Sequence, residues 1–297
     1  MHRAAITLDE LNALDEPGFV AALDGVFEHA PWVAAGAVRS RPFATVSGLH
    51  DGLMRVVRQK QDADDLLAFL NAHPVLGGKN AKAGAVTAES AKEQAGIGVV
   101  SLAGEEARAL AELNAGYRAK FGVPFIICAR RHTRPSILRE LRARMENSVD
   151  QEIANNLAEI EHITRLRLVD RVTGAGMPNV FGRLSTHVLD THAGRPAQDV
   201  KIELFECGPA GNQRLAEAMT NAEGRTDQPL LANAPLRIGT YELVFHMGAY
   251  FRARGVIAAA QPFLDEVCVR FGVNEPEGHY HVPLVATPWS YSTYRGS

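Results

Sequence analysis

The chain has 297 residues, 46% of them hydrophobic and 22% charged, with a formal net charge of -3. That length suggests two domains, each large enough to bury its own core, and the near-neutral balance gives no support for a nucleic-acid or polyanion surface. The longest apolar runs, 123–128 and 256–260, fall far short of a membrane span, and residues 1–4 lead into no signal-peptide core.

From residue 7 to residue 169 the apolar positions recur at helical spacing. Thr7 with Glu10 forms a capping-box pattern, and Thr133 before Arg134-Pro135-Ser136 marks another helix start. A helix over 63–71 is expected to end at His73-Pro74, because the residue before proline disfavours α geometry. A short helix over 87–94, stopped by Gly96, puts Ser90, Glu93 and Gln94 on one face. That face could hold a small polar ligand or be a hydrated surface. The segment 121–129 is too apolar for a surface loop and reads as buried wall or backbone contact. The clearest helix, 150–169, carries Ile153, Leu157 and Ile160 on one stripe, with Arg167 within about 40° of Ile153 and Arg165 pointing away. A guanidinium on an apolar face needs an anion, which a structural ion pair, a catalytic glutamate or a substrate carboxylate could each supply.

Residues 173–179 hold two glycines and a proline without periodicity and read as a linker. Beyond it the pattern becomes period-2 runs at 184–189, 200–205, 241–245 and 266–271, and about seven short strands suggest a sandwich. The expected fold class is therefore multidomain α and β: an all-helical domain (1–170), a linker (171–181) and an all-β sandwich (182–297). His279 and His281 lie two apart on a strand and share a face. With His187 or His246 they could ligate zinc, or one of them could act as a general base beside a cation in a metal-free hydrolytic site. Cys128, Cys207 and Cys268 have no paired spacing, which argues against a disulfide framework and for a reducing cytoplasm.

Four ordered motifs carry a resemblance over residues 182–297. They are Leu184-Ser185-Thr186-His187-Val188-Leu189-Asp190-Thr191, Asn221-Ala222-Glu223-Gly224-Arg225-Thr226, His279-Tyr280-His281-Val282-Pro283-Leu284 and Tyr294-Arg295-Gly296-Ser297. Together they resemble 5-hydroxyisourate hydrolase of the transthyretin-like family, with Glu223 where aspartate is usual. The resemblance implies a transthyretin-type sandwich, a homo-oligomer (tetramer) with sites at a subunit interface, and no metal. It implies His187, Arg225, His281 and Ser297 as the catalytic set, with Tyr294, Arg295 and Gly296 binding substrate; His246 and His279 receive no role. A tag placed after Ser297 should then damage ring opening.

The helical half, over roughly residues 5–170, resembles the all-helical 2-oxo-4-hydroxy-4-carboxy-5-ureidoimidazoline (OHCU) decarboxylase family. The matching pieces are His73-Pro74-x-Leu76-Gly77, Glu93-Gln94, the 121–129 segment and Ile163-x-x-Leu166-Arg167-Leu168. That resemblance implies His73 as proton donor, Glu93 as its acidic partner and Arg167 completing the site. Substrate would be bound by Pro74, Ser90, Gln94 and the run Phe125, Ile126, Ile127, Cys128, Ala129, with possible dimer contacts through this domain.

Neither half shows a phosphate loop or cofactor motif, so no cofactor is expected. The two resemblances together imply a bifunctional enzyme of urate breakdown, converting 5-hydroxyisourate through OHCU to (S)-allantoin, with small-molecule substrates, no nucleic acid and no membrane. The competing readings are a transthyretin-like small-molecule carrier with a helical partner module, and a zinc amidohydrolase.

Overall fold

The computed structural model describes residues 5–60, 62–77, 86–96, 98, 104–209 and 211–296, so Ser297 lies outside the described residues. The chain forms two compact units, one of residues 1–130 with 136–179, the other of residues 131–135 with 180–297.

The first half contains α1 (Leu8–Ala13), α2 (Glu16–Ala22), α3 (Pro31–Ala37), α4 (Val46–Arg58), α5 (Ala63–Asn71), α6 (Ala88–Gly96), α7 (Gly104–Phe121), α8 (Arg134–Arg144) and α9 (Val149–Val169). Thr7 and Glu10 cap α1 reciprocally as their spacing predicts, and Ser148 with Gln151 does the same for α9. Leu49, Leu53 and Val57 on α4, Leu70 on α5 and Ile160 and Leu168 on α9 are buried together with Phe19 and Val33. Each such side chain contributes roughly 2 kcal/mol by leaving water. The sequence misplaces the inner stripe of α9 by one residue. Ile153 and Leu157 are only half-buried, whereas Glu152 and Asn156 are buried and lead into Ile160, Ile163 and Arg167. Polar side chains can occupy that stripe because Arg144 and Tyr117 satisfy them: Arg144 donates to Glu152 and to Asn156 Oδ1, and the Tyr117 hydroxyl donates to Glu152.

Two short strands close this unit: β1 (Ile6–Thr7) pairs in parallel with β2 (Val172–Thr173). The stretch expected as linker is thus partly structured. Ala175 and Gly176 accept backbone hydrogen bonds from Val46 and Ser47 at the start of α4.

The second unit is a two-sheet sandwich. Its first sheet is antiparallel, in the order β10 (Val267–Val273), β9 (Gly239–Phe245), β6 (Lys201–Glu206), β7 (Gln213–Met219). The opposite strands form two ladders: β11 (His279–His281), β3 (Gly182–Ser185), β8 (Leu231–Ala234), and β13 (Tyr291–Thr293), β12 (Leu284–Ala286), β4 (Val188–Asp190), β5 (Arg195–Pro196). Leu184, Val188, Ile202, Leu204, Tyr241, Leu243, Phe245, Val267 and Leu284 fill the space between the sheets. One helix, α10 (Met247–Ala253), interrupts the strand pattern and buries Met247, Tyr250 and Phe251; its period was not read from the sequence.

The predicted strand 184–189 is broken at Thr186-His187, and its parallel neighbour breaks at Val282-Pro283, where proline removes a ladder donor. The backbone bridges the break irregularly: Val282 N donates to Ser185 O, Leu284 N donates to His187 O, and the Thr186 hydroxyl donates to Val282 O. The kink leaves His187 at the break, close enough to His281 at the end of β11 for their charges to interact.

Candidate active sites

In the helical unit the centre is Arg167 on α9, whose side chain is 5% exposed. Its Nε donates to Glu93 Oε1 at 3.0 Å and its Nη2 to Glu93 Oε2 at 2.7 Å, a bidentate pair. Nη2 also donates to Ser90 Oγ at 2.9 Å, and Nη1 donates to Glu28 Oε2 at 3.0 Å and to Gly25 O at 3.3 Å. The face of α6 predicted to carry Ser90, Glu93 and Gln94 points inward: Ser90 is buried, and Gln94 accepts from the Gly77 amide at 2.9 Å. The hydrated-surface alternative for this face is therefore overturned.

His73 is buried where α5 ends, packed edge-on against Phe69. Its Nδ1 donates to Phe69 O at 3.1 Å, which leaves Nε2 to exchange a proton. Burial drives its pKa down to about 4, opposed by the Glu28 charge and reinforced by Arg167. His73, Glu28 and Arg167 therefore act on one another, while the hydrogen-bonding partner of Glu93 is Arg167. The run Phe125, Ile126, Ile127, Cys128, Ala129 is buried throughout, as expected. Asn156 and Glu159 of α9 accept from the Ile126 and Cys128 amides, and Arg144 donates to Ile126 O, so side chains replace a missing strand neighbour.

The sequence did not reveal Glu28. It lies in the turn between α2 and α3, and its side chain is fully buried. A carboxylate inside Val26-Phe27-Glu28-His29-Ala30-Pro31 was the available signal.

Burial also depresses His50, whose pKa falls to about 4; its Nε2 lies 3.0 Å from Thr164 Oγ1. Both folded values lie below the unfolded value near 6.5, so the fold favours neutral imidazole. The resulting stabilisation, about 3 kcal/mol per histidine, is full above pH 6.5 and lost as the pH falls through 4. We expect the melting temperature of the helical unit to drop steeply between pH 6.5 and 4; a flat profile by circular dichroism would contradict this.

In the sandwich, His187 and Arg225 pair as an isolated antiparallel bridge, and His281 pairs likewise with Gly296. Arg225 projects from a turn in which Asn221 Oδ1 accepts from the amides of Glu223 and Arg225. Gly224 in this turn has φ +70°, and a Cβ there would lie 2.4 Å from Val188 O and 3.1 Å from His187 Cδ2. Gly224→Ala is accordingly expected to slow ring opening several-fold and lower the sandwich's melting temperature; unchanged kinetics would contradict the placement.

The buried Nε2 of His187 has no hydrogen-bond partner among the described residues. Burial first, then Arg225, lowers the pKa values of both His187 and His281. Both imidazoles are thus biased towards the neutral, proton-accepting form. Ser185 Oγ bridges His281 Nδ1 and His279 Nε2 at 3.0 Å each. Gly296 N donates to His281 O at 2.8 Å, and a Cβ on Gly296 would lie 2.6 Å from His281 Cδ2, so glycine permits the approach. Tyr294 is exposed, and Arg295 turns to Glu275 at 3.2 Å and lies over the Tyr280 ring. His246 is set apart, held by Glu203 at 2.8 Å. Among the described residues no three His, Cys, Asp or Glu side chains converge to hold a metal ion.

The chain belongs to the OHCU decarboxylase family, matched over residues 12–169, and to the HIUase/transthyretin family, matched over residues 184–296. A 5-hydroxyisourate hydrolase of Deinococcus radiodurans is 56% identical over 117 residues, covering 38% of this chain and 95% of the relative. A human protein assigned to OHCU decarboxylation is 36% identical over 163 residues, covering 55% of this chain and 94% of its own length. A crystal structure of (S)-allantoin synthase matches 98% of this chain and all of its own at 32% identity, with a TM-score of 0.55. No helix among the described residues is long and apolar enough to cross a membrane.

Proposed function

We propose that the chain is a bifunctional enzyme of urate degradation: the sandwich hydrolyses 5-hydroxyisourate to OHCU, and the helical unit decarboxylates OHCU to (S)-allantoin. The observation that carries this is a repeated pairing within one chain. His73 beside Arg167, and His187 and His281 beside Arg225, each join an imidazole to a guanidinium. The catalytic sets are His73, Glu93 and Arg167, and His187, Arg225, His281 and Ser297. We keep 1–170, 171–181 and 182–297 as the functional division.

For ring opening, an imidazole takes a proton as water oxygen bonds to the carbonyl carbon, and Arg225 steadies the developing oxyanion. The ring C–N bond then breaks, and the departing nitrogen receives the proton from the imidazolium, so the balance is one water added. For decarboxylation, the C–C bond to the carboxylate breaks and its electron pair enters the imidazoline ring. Carbon dioxide leaves, and His73, which takes up a proton from solvent at Nε2 before the step, delivers it to one face of the carbon, which sets the product's hand. Arg167 orients the substrate carboxylate, the Ser90 to Gln94 face binds the substrate, and Pro74 with the 125–129 run forms the wall. Neither step requires a cofactor.

We place the enzyme in the cytoplasm as a homo-oligomer, a tetramer through the sandwich. In support, the edge strand β13 is exposed, with Trp289, Tyr291 and Tyr294 uncovered around it. Sedimentation equilibrium tests this, and a monomer at micromolar concentration would refute it. The functional assignment is tested by supplying preformed OHCU and 5-hydroxyisourate separately and measuring both turnovers on one sample; loss of either activity refutes that half.

A further inference from the structure

Arg167 is held by two carboxylates, and they are not equivalent. Glu93 sits on the short helix α6 with its side chain 15% exposed, and it occupies the Nε and Nη2 edge of the guanidinium. That is the edge a substrate carboxylate would take in a bidentate grip. Glu28 has no side-chain exposure and holds Nη1 from the opposite side. Four donors converge on Glu28: Thr87 N at 3.0 Å, Thr87 Oγ1 at 2.7 Å, Ser90 Oγ at 2.8 Å and Arg167 Nη1. Burial alone would raise its pKa, yet these donors carry it below the ordinary carboxylate value, so it stays ionised.

Two further observations mark Glu28 as built for this place. The next residue, His29, has φ +47°, a left-handed conformation that is strained for a non-glycine residue and persists only where the surroundings enforce it. Ser90 gives its hydroxyl hydrogen to Glu28 while accepting from Arg167, so it has no hydrogen left for substrate and can offer only a lone pair.

We propose that Glu28 is the permanent counter-ion of Arg167, a positioning residue that holds the guanidinium and the Ser90 hydroxyl in place while Glu93 gives way to the substrate's carboxylate. Without it, Arg167 would have Glu93 as its remaining carboxylate partner, and an incoming carboxylate would have to break the last buried ion pair. With it, Glu93 is released without stranding a buried charge, and is freed to face the reacting carbon beside His73. Glu28 also acts on His73. The charged groups that influence that imidazole are Glu28 from the α2–α3 turn and Arg167 from α9, while Phe69 O of α5 accepts from Nδ1 and Glu93 of α6 is paired with Arg167.

The inference rests on the decarboxylase reading of this site, so His73→Ala is measured in parallel; if that variant keeps stereospecific decarboxylation, the reading itself fails. The test is Glu28→Gln in the full chain, with OHCU turnover followed across pH and 5-hydroxyisourate hydrolysis on the same sample as internal control. The expected result is a raised KM for OHCU, a kcat reduced by about 100-fold, unchanged hydrolysis, and an alkaline limb of the decarboxylation profile moved to lower pH, because the anion that favours imidazolium is gone. Wild-type KM and kcat would overturn the proposal, and so would a loss of kcat with the alkaline limb in place. If Glu28→Gln loses its helical circular dichroism, Glu28→Asp decides. It keeps the charge but withdraws it by one methylene, and is expected to retain the alkaline limb with KM raised several-fold; a wild-type KM would overturn the proposal.

Discussion

His73→Ala is expected to reduce decarboxylation by roughly 10²- to 10⁴-fold, the range for losing a positioned proton-transfer group, while leaving ring opening at its full rate. OHCU should accumulate from 5-hydroxyisourate and decay on its own to racemic allantoin. The large loss follows from the geometry: Nδ1 is committed to Phe69 O, so Nε2 alone can hand a proton to the substrate, and burial excludes water from doing the same. The substitution should also make the helical unit less acid-labile, because a depressed histidine is gone. Chiral chromatography of the product and thermal melts between pH 7 and 4 check the two effects. Retained (S)-selectivity would remove His73 from its proposed role.

The converse variant, His281→Ala, is expected to lower ring opening by roughly 10²- to 10⁴-fold, with turnover of preformed OHCU unchanged. His281 is flanked by Ser185 on Nδ1 and approached by the Gly296 backbone, which together fix the position of its imidazole. Ser185 keeps His279 as a partner in the variant, and the kink at Thr186-His187 is held by backbone bonds that do not involve the His281 side chain. The sandwich should therefore stay folded. Stopped-flow absorbance at the 5-hydroxyisourate band measures the loss; a wild-type rate would take His281 out of the catalytic set.

Much of this was legible in the sequence because it rests on local rules. The Thr7–Glu10 cap, the α5 boundary before Pro74 and the shared face of Ser90, Glu93 and Gln94 depend on spacings within a single element. Arg167 was visible for the same reason, as a charge on an apolar stripe. What escaped depends on residues far apart in the chain. Glu28 lies in a turn with no periodicity, and its meaning comes from Thr87, Ser90 and Arg167, the last 139 positions away. The α9 stripe was misplaced because Glu152 and Asn156 look like surface residues until Arg144 and Tyr117 are brought against them. The break in the 184–189 strand was likewise invisible, since it answers to Pro283, between β11 and β12, almost a hundred residues later.

The central claim, two consecutive reactions on one chain, is tested most directly by giving the purified full chain 5-hydroxyisourate alone and following the product by circular dichroism. The account predicts (S)-allantoin formed at an enzymatic rate in enantiomeric excess. Racemic allantoin appearing at the uncatalysed rate would contradict it.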